Sequence, residues 1–249
     1  MADVGDASAL TCASAWVTAP TARVRALGFE LLGFLALDHV PAQHALLEAA
    51  ATGVIDRSVR VREAVAFNIG MSVAKRAGPL LLQLATDRHP WVRTAAVGAL
   101  PLSVYQPEAD HPVVRALVAA TRDEDLVVRD WAAFSLGTQL DVDSPEVRQA
   151  LQRLVGQIEE DTPKHYPGAE ALLGLAVRGD PTALPVVRRR LLDPGVSTMA
   201  FAAAEALADR ALLPALLAHR GQDNEPDDPW VVRLEAAIAA CAASTRGPA

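Results

Sequence analysis

The dipeptide Val-Arg recurs at residues 24–25, 61–62, 92–93, 128–129 and 232–233, each time opening a run rich in alanine, leucine or valine. Between Arg129 and Arg233 the same frame passes through His165 (HYPGAEALLGLA) and Ala200 (AFAAAEALA), giving successive spacings of 37, 31, 36, 36, 35 and 33 residues. An aspartate stands six residues ahead of four of the arginines: Asp56 before Arg62, Asp87 before Arg93, Asp123 before Arg129 and Asp227 before Arg233. Self-similarity at a period of about 20–50 residues marks stacked repeats, because a single unit cannot bury its apolar face alone.

Every unit carries a second amphipathic segment upstream of the Val-Arg run: 41–51, 78–86, 111–121, 144–158, 181–192 and 210–219, with 7–17 (SALTCASAWVT) as a ragged first member. In the 144–158 segment Val147, Leu151, Leu154 and Val155 form the stripe of one helix face. Ser144-Pro145 and Asp180-Pro181 set an N-cap ahead of a proline suited to a first helical turn. Gly70, Gly137 and Gly179 fall at helix ends or points of close packing. No segment alternates as a half-buried strand does. The unit is therefore helix A, a short acidic turn, then helix B.

Composition agrees with closely packed helices. Hydrophobic residues make up 51% of the 249-residue chain and aromatics only 4%, so alanine, leucine and valine must fill the core. The formal net charge of −7 argues against a nucleic-acid partner. Cys12 and Cys241, at opposite ends, read as free thiols of a cytoplasmic protein. The first 37 residues lack the pattern of a signal peptide, and no run approaches the length of about 20 apolar residues that a membrane span requires.

The pattern D-x-d-x-x-V-R-x-x-A-A-x-x-L-G, clearest in DEDLVVRDWAAFSLGTQL (123–140), resembles the HEAT repeat, in particular the bacterial HEAT-like repeats named from phycobilin lyases. The likeness covers roughly residues 20–245. It implies an all-α fold, a right-handed α-solenoid of about seven stacked helix pairs over residues 7–245, with flexible ends at 1–6 and 246–249. His165 and Ala200 depart from the pattern by replacing the arginine, and Pro101 by replacing the glycine after Leu100, so irregular packing is expected in the fifth and sixth units.

Two groups of residues follow. Asp56, Arg62, Asp87, Arg93, Asp123, Arg129, Asp227 and Arg233 read as a structural spine, since partly buried charges need partners. The resemblance implies that helices B line the inner, concave surface, which would carry Glu63, Phe67, Thr94, Asp130, Trp131 and Phe134 as a partner-binding set. Trp131 stands where other units have Ala64, Ala95 or Ala202, so it either fills a gap between units or offers a contact. Trp91 and Trp230, each after a proline, read as staples between a turn and the next unit. Arg188, Arg189 and Arg190 read as a solvated face, and Glu159, Glu160 and Asp161 as a solvated turn. The loops 101–112 and 221–229 are longer than their counterparts.

The six histidines are dispersed, and no phosphate loop, dinucleotide fingerprint or nucleophile elbow is present. The expectation is a protein without catalytic residues, metal or cofactor that binds a protein or peptide, favouring a basic patch and neither nucleic acid nor membrane. Two enzyme-like alternatives come from the resemblance. One is a bilin-lyase-like chromophore handler. The other is a HEAT-like DNA-repair glycosylase, of which Asp130 beside Trp131 is a faint echo.

Overall fold

The structure, a computed structural model, describes residues 4–158, 165–193, 195–221 and 227–244, with the backbone alone for 4–6. Readings that fall on residues 1–3, on Glu159, Glu160 and Asp161, on 222–226 or on 245–249 lie outside the described residues. All regular structure in the described residues is helical, and no strand occurs among them. Contacts divide the chain into unit 1 (Met1–Ala132) and unit 2 (Ala133–Ala249), where the sequence suggests a single stack over 7–245.

Unit 1 contains α1 (Val4–Trp16), α2 (Ala22–Ala36), α3 (Val40–Gly53), α4 (Val59–Leu84), α5 (Pro90–Ala99), α6 (Pro112–Ala120) and most of α7 (Leu126–Phe134). Helix α1 begins three residues ahead of the expected first helix A. Helices α2, α5 and the first half of α4 are helices B, and they pack on one another in succession, α2 on α4 and α4 on α5. The 59–70 and 78–86 segments, expected as separate helices, are joined in α4, which bends at Val73 (φ −138°, ψ 23°) and carries Pro79 in its second half. Proline removes one helical N–H and crowds the preceding turn, so it is tolerated a turn past a bend. Pro101 lies in a 3-10 turn, Leu100–Ser103, that closes α5 where the pattern would have glycine.

Unit 2 contains α8 (Pro145–Val155), α9 (Pro167–Val177), α10 (Ala183–Arg190), α11 (Thr198–Leu207), α12 (Leu213–Leu217) and α13 (Pro229–Ala243). Its helices B are α9, α11 and α13, again packed in succession. A π-helical turn, Ser135–Gln139, lies at its start. The Ser144 hydroxyl accepts the Val147 N–H at 3.3 Å as an N-cap. Asp180 instead accepts the Thr182 N–H, so α10 starts at Ala183 and Pro181 stays outside it. Gly179 takes φ +60°, the left-handed conformation that glycine adopts freely after a helix end.

Alanine dominates where helices meet. Ala26, Ala64, Ala96, Ala132, Ala203 and Ala237 are all buried. One close backbone approach lies between the π turn and α9, where a Cβ on Gly174 would stand 2.6 Å from the Gly137 Cα. No side chain fits there.

Candidate functional site

An arginine ladder ties the turns of unit 1 together. Arg25 donates to the Asp56 carboxylate through Nε (2.7 Å) and Nη2 (2.9 Å). Arg62 does the same to Asp87 at 2.6 and 2.9 Å, and Arg93 to Asp123 at 2.7 Å through both nitrogens. Each guanidinium thus forks onto the aspartate of the following repeat. The aspartate six residues ahead of an arginine supplies only its backbone: Arg62, Arg93 and Arg129 donate Nη1 to the carbonyls of Asp56, Asp87 and Asp123 at 2.8–3.0 Å. The same carboxylates also close the turns, accepting the N–H groups of Ser58, His89 and Asp125 at 2.8–2.9 Å. The side-chain pairing therefore runs between repeats, and the backbone pairing within them.

Asp227 and Arg233 do not extend the ladder. Asp227 is exposed, and Arg233 meets Glu205 at 3.4 Å on the surface. The turn aspartate there is Asp228, which accepts the Trp230 N–H at 2.8 Å. Counting six residues on from it gives Leu234, which is buried. The register has moved by one residue, which carries Arg233 out of the stack.

Electrostatics follow the bonding. The Arg25 guanidinium holds the Asp56 carboxyl below its ordinary value. Burial pushes Asp87 upward, and the Arg62 bond with the His89 N–H outweighs it, leaving a net lowering. Asp180 is likewise lowered overall: burial is outweighed by Thr182, Arg148 and Gln152. In unit 2 the arginines work differently. Arg148 bridges Asp143 (2.6 Å) and Asp180 (3.1 Å), both its own repeat's turn and the next. Arg178 donates to the carbonyls of Leu136, Gly137, Leu140 and Val142 at 2.5–3.2 Å and of Gly174 at 2.8 Å, satisfying carbonyls that the π turn leaves open. Burial lowers its affinity for the proton from the ordinary value, without removing the charge.

The helix-B face of unit 1 holds a cleft of about 500 Å³. Phe67 and Met71 of α4, Trp91 of α5, Leu102 of the 3-10 turn and Trp131 of α7 form its apolar walls. Glu63, Thr94 and Asp125 supply its polar groups. Trp131 lies with its indole over Gly98, where an added Cβ would stand 3.1 Å from the ring, and it keeps 39% of its surface exposed. It fills the space over Gly98 and leaves part of its ring open to the cleft. Four of the six residues named for partner binding, Glu63, Phe67, Thr94 and Trp131, line this cleft together. Asp130 and Phe134 are half-buried and outside the lining, Phe134 in the part of α7 that belongs to unit 2.

Sequence reasoning missed Met71 and Leu102 and gave Trp91 a different task. Trp91 is 61% exposed and touches His89 edge-on at 4.9 Å. Trp230 is the tryptophan that staples, its Nε1 donating to the Val196 carbonyl at 3.3 Å and its ring edge-on to Phe201. A signal for the missed pair was available: the ninth residue after each ladder arginine is Phe34, Met71 and Leu102, all exposed.

Among the described residues no three His, Cys, Asp or Glu side chains are grouped to hold a metal ion. The Cys241 thiol is buried and pushed up to about 11, which keeps it protonated and unreactive. No helix of the described residues is long and apolar enough to cross a membrane.

Helix pairs locked turn to turn, with a groove on successive helices B, define a helical-repeat protein of the α-solenoid class. HEAT repeats match over residues 44–137 and 114–208, and the chain belongs to the HEAT-repeat family. It is similar to protein YibA of Escherichia coli K12, 29% identical over 143 residues, or 57% of this chain, and it spans about half (47%) of that relative's length. The X-ray structure of YibA superposes with TM-score 0.71 at 21% identity, covering 96% of this chain and 82% of that one. A chain from the structure of Kap95p with RanGDP superposes with TM-score 0.63 at 20% identity, covering 94% of this chain and 35% of that one. At these identities the two superpositions speak for the fold alone.

Proposed function

We propose that this protein is a non-catalytic binding module, an adaptor, scaffold, immunity or assembly factor of the cytoplasm, that takes a protein partner on the helix-B face of unit 1. The observation that carries the reading is the exposed apolar column Phe34, Met71 and Leu102, repeated once per repeat and joined at the cleft by Phe67, Trp91 and Trp131. Contiguous exposed apolar surface marks interaction sites, and tryptophan is enriched where binding energy concentrates. HEAT repeats commonly serve protein interaction, and stacked helix pairs offer the extended surface that such binding uses. Chromophore handling rests on the resemblance to lyase repeats and has no residue in the cleft that favours it.

Affinity capture from a native-source lysate tests this. A stoichiometric protein should be retained by the wild type and lost by Phe67→Ala/Trp131→Ala, a variant whose helicity is first checked. Leu192→Ala, at an exposed leucine of unit 2, should retain it. Equal retention by all three, or a pigment or nucleic acid in place of a protein, overturns the reading.

A further inference from the structure

The cleft joins aromatic surface to a carboxylate, that of Glu63, without a cationic partner among the described residues. Glu63 is half-buried on α4, and its carboxylate makes no hydrogen bond or ion pair with any described side chain or backbone group. Asp125, the second carboxylate of the lining, accepts the Val127 N–H at 2.9 Å at the start of α7. Among the described residues no lysine, arginine or histidine lines the cleft. A carboxylate held against apolar walls loses hydration, and a cation brought to it restores what is lost. Trp91, Trp131 and Phe67 add ring surface, and the faces of such rings attract the same cation.

We propose that the cleft receives a lysine or arginine side chain of the partner, carried on a segment with apolar residues on either side. The cation stands by Glu63 and the tryptophan rings, and the apolar neighbours lie on Met71 and Leu102. The net charge of −7 steers such a segment toward the protein, while the two carboxylates repel an acidic or phosphorylated one. This deepens the protein-binding reading of the same face and rests on it.

A random-peptide library displayed on phage tests the assignment. It is panned against the immobilised wild type with excess soluble Phe67→Ala/Trp131→Ala protein, which removes peptides bound elsewhere. The expected pool carries a basic residue beside apolar ones. Its members bind the Glu63→Lys variant at least about tenfold more weakly than the wild type, and panning on Glu63→Lys itself selects acidic residues. Glu63→Gln, nearly the same in shape, gives an intermediate loss and serves where Glu63→Lys perturbs the fold. Enrichment of apolar peptides without basic residues, indifferent to position 63, overturns the cation assignment and leaves the binding face standing. No enrichment over the competitor overturns both.

Discussion

Unit 1 and unit 2 are built from the same helix pair yet hold their repeats together by different means. In unit 1 the arginine sits on helix B and forks onto the turn aspartate of the next repeat, three times in succession. In unit 2 His165 and Ala200 occupy that frame, and the work passes to Arg148 at the first turn of helix A and to Arg178 just past the end of α9. Repeat proteins draw their stability from nearest-neighbour terms. The family pattern therefore specifies that a neighbour term exists at each junction, while the residue that supplies it is free to move. The unit with the regular ladder also carries the exposed apolar column.

If unit 1 depends on its ladder, Arg62→Ala should cause the largest loss of any change to an arginine. It leaves Asp87 without its guanidinium and the Asp56 carbonyl without a donor, at a site where Arg62 is buried. Breaking a buried pair on one side costs about 3–5 kcal/mol. Urea unfolding reads the loss, and peptide-resolved hydrogen exchange should place it in α2, α4 and α5. Equal loss of protection in α9 and α11 would contradict a ladder that acts locally.

Acid should weaken the same junctions more gradually. A carboxylate whose native value lies below its unfolded one, about 3.9 for aspartate, adds stability that is complete above the unfolded value. That stability is lost as pH falls through the native value. Asp56 and Asp87 in unit 1 and Asp143 and Asp180 in unit 2 are all lowered, so both units should lose stability below about pH 4. Asp87→Asn should flatten the acid limb of the urea midpoint between about pH 5 and pH 2. An unchanged slope would mean that Asp87 does not carry it.

These junctions were only partly legible in the amino-acid order. D-x5-R exposed the right residues, because both members recur with the repeat. It could not say which copy pairs with which, since the aspartate and arginine of one repeat are neighbours in sequence and the partner is set by how the turns stack. Arg25 has Ala19 where the aspartate would stand and still joins the ladder through Asp56, which the motif alone rejects. Arg178 left no trace in the repeat frame, because its partners are backbone carbonyls that carry no sequence signature. In the cleft, Trp131 was visible as an outsized residue in its column. Gly98, which gives Trp131 its seat, was visible only as a gap.

Gly174→Ala probes unit 2 in the same way at smaller cost. The added methyl meets the Gly137 Cα at 2.6 Å, and backbone cannot rotate aside as a side chain can. Separating the two strands of backbone also draws the Gly137 and Gly174 carbonyls away from Arg178. Overpacking of this kind costs about 1–3 kcal/mol, offset in part by alanine's better helix propensity. Protection should fall in α8 and α9 and hold in α2 to α5. A loss centred on unit 1 would make the contrast between the units untenable.

The smallest effect is the most discriminating one, because sequence alone ranks Arg233 with Arg62. Both follow valine, and both have an aspartate six residues ahead. In the structure Arg233 is 56% exposed in its side chain and faces Glu205, itself 38% exposed, at 3.4 Å. Solvent screens such a pair, and holding two long side chains in one geometry uses most of what the attraction returns. Arg233→Ala should therefore shift stability by no more than about 0.5 kcal/mol. Leu234→Ala, one residue on and buried at the ladder position, should cost about 2–5 kcal/mol. Urea unfolding of the two variants side by side separates motif from register. If Arg233→Ala proves the costlier, the one-residue shift marked by Asp228 is wrong and the ladder continues through α13.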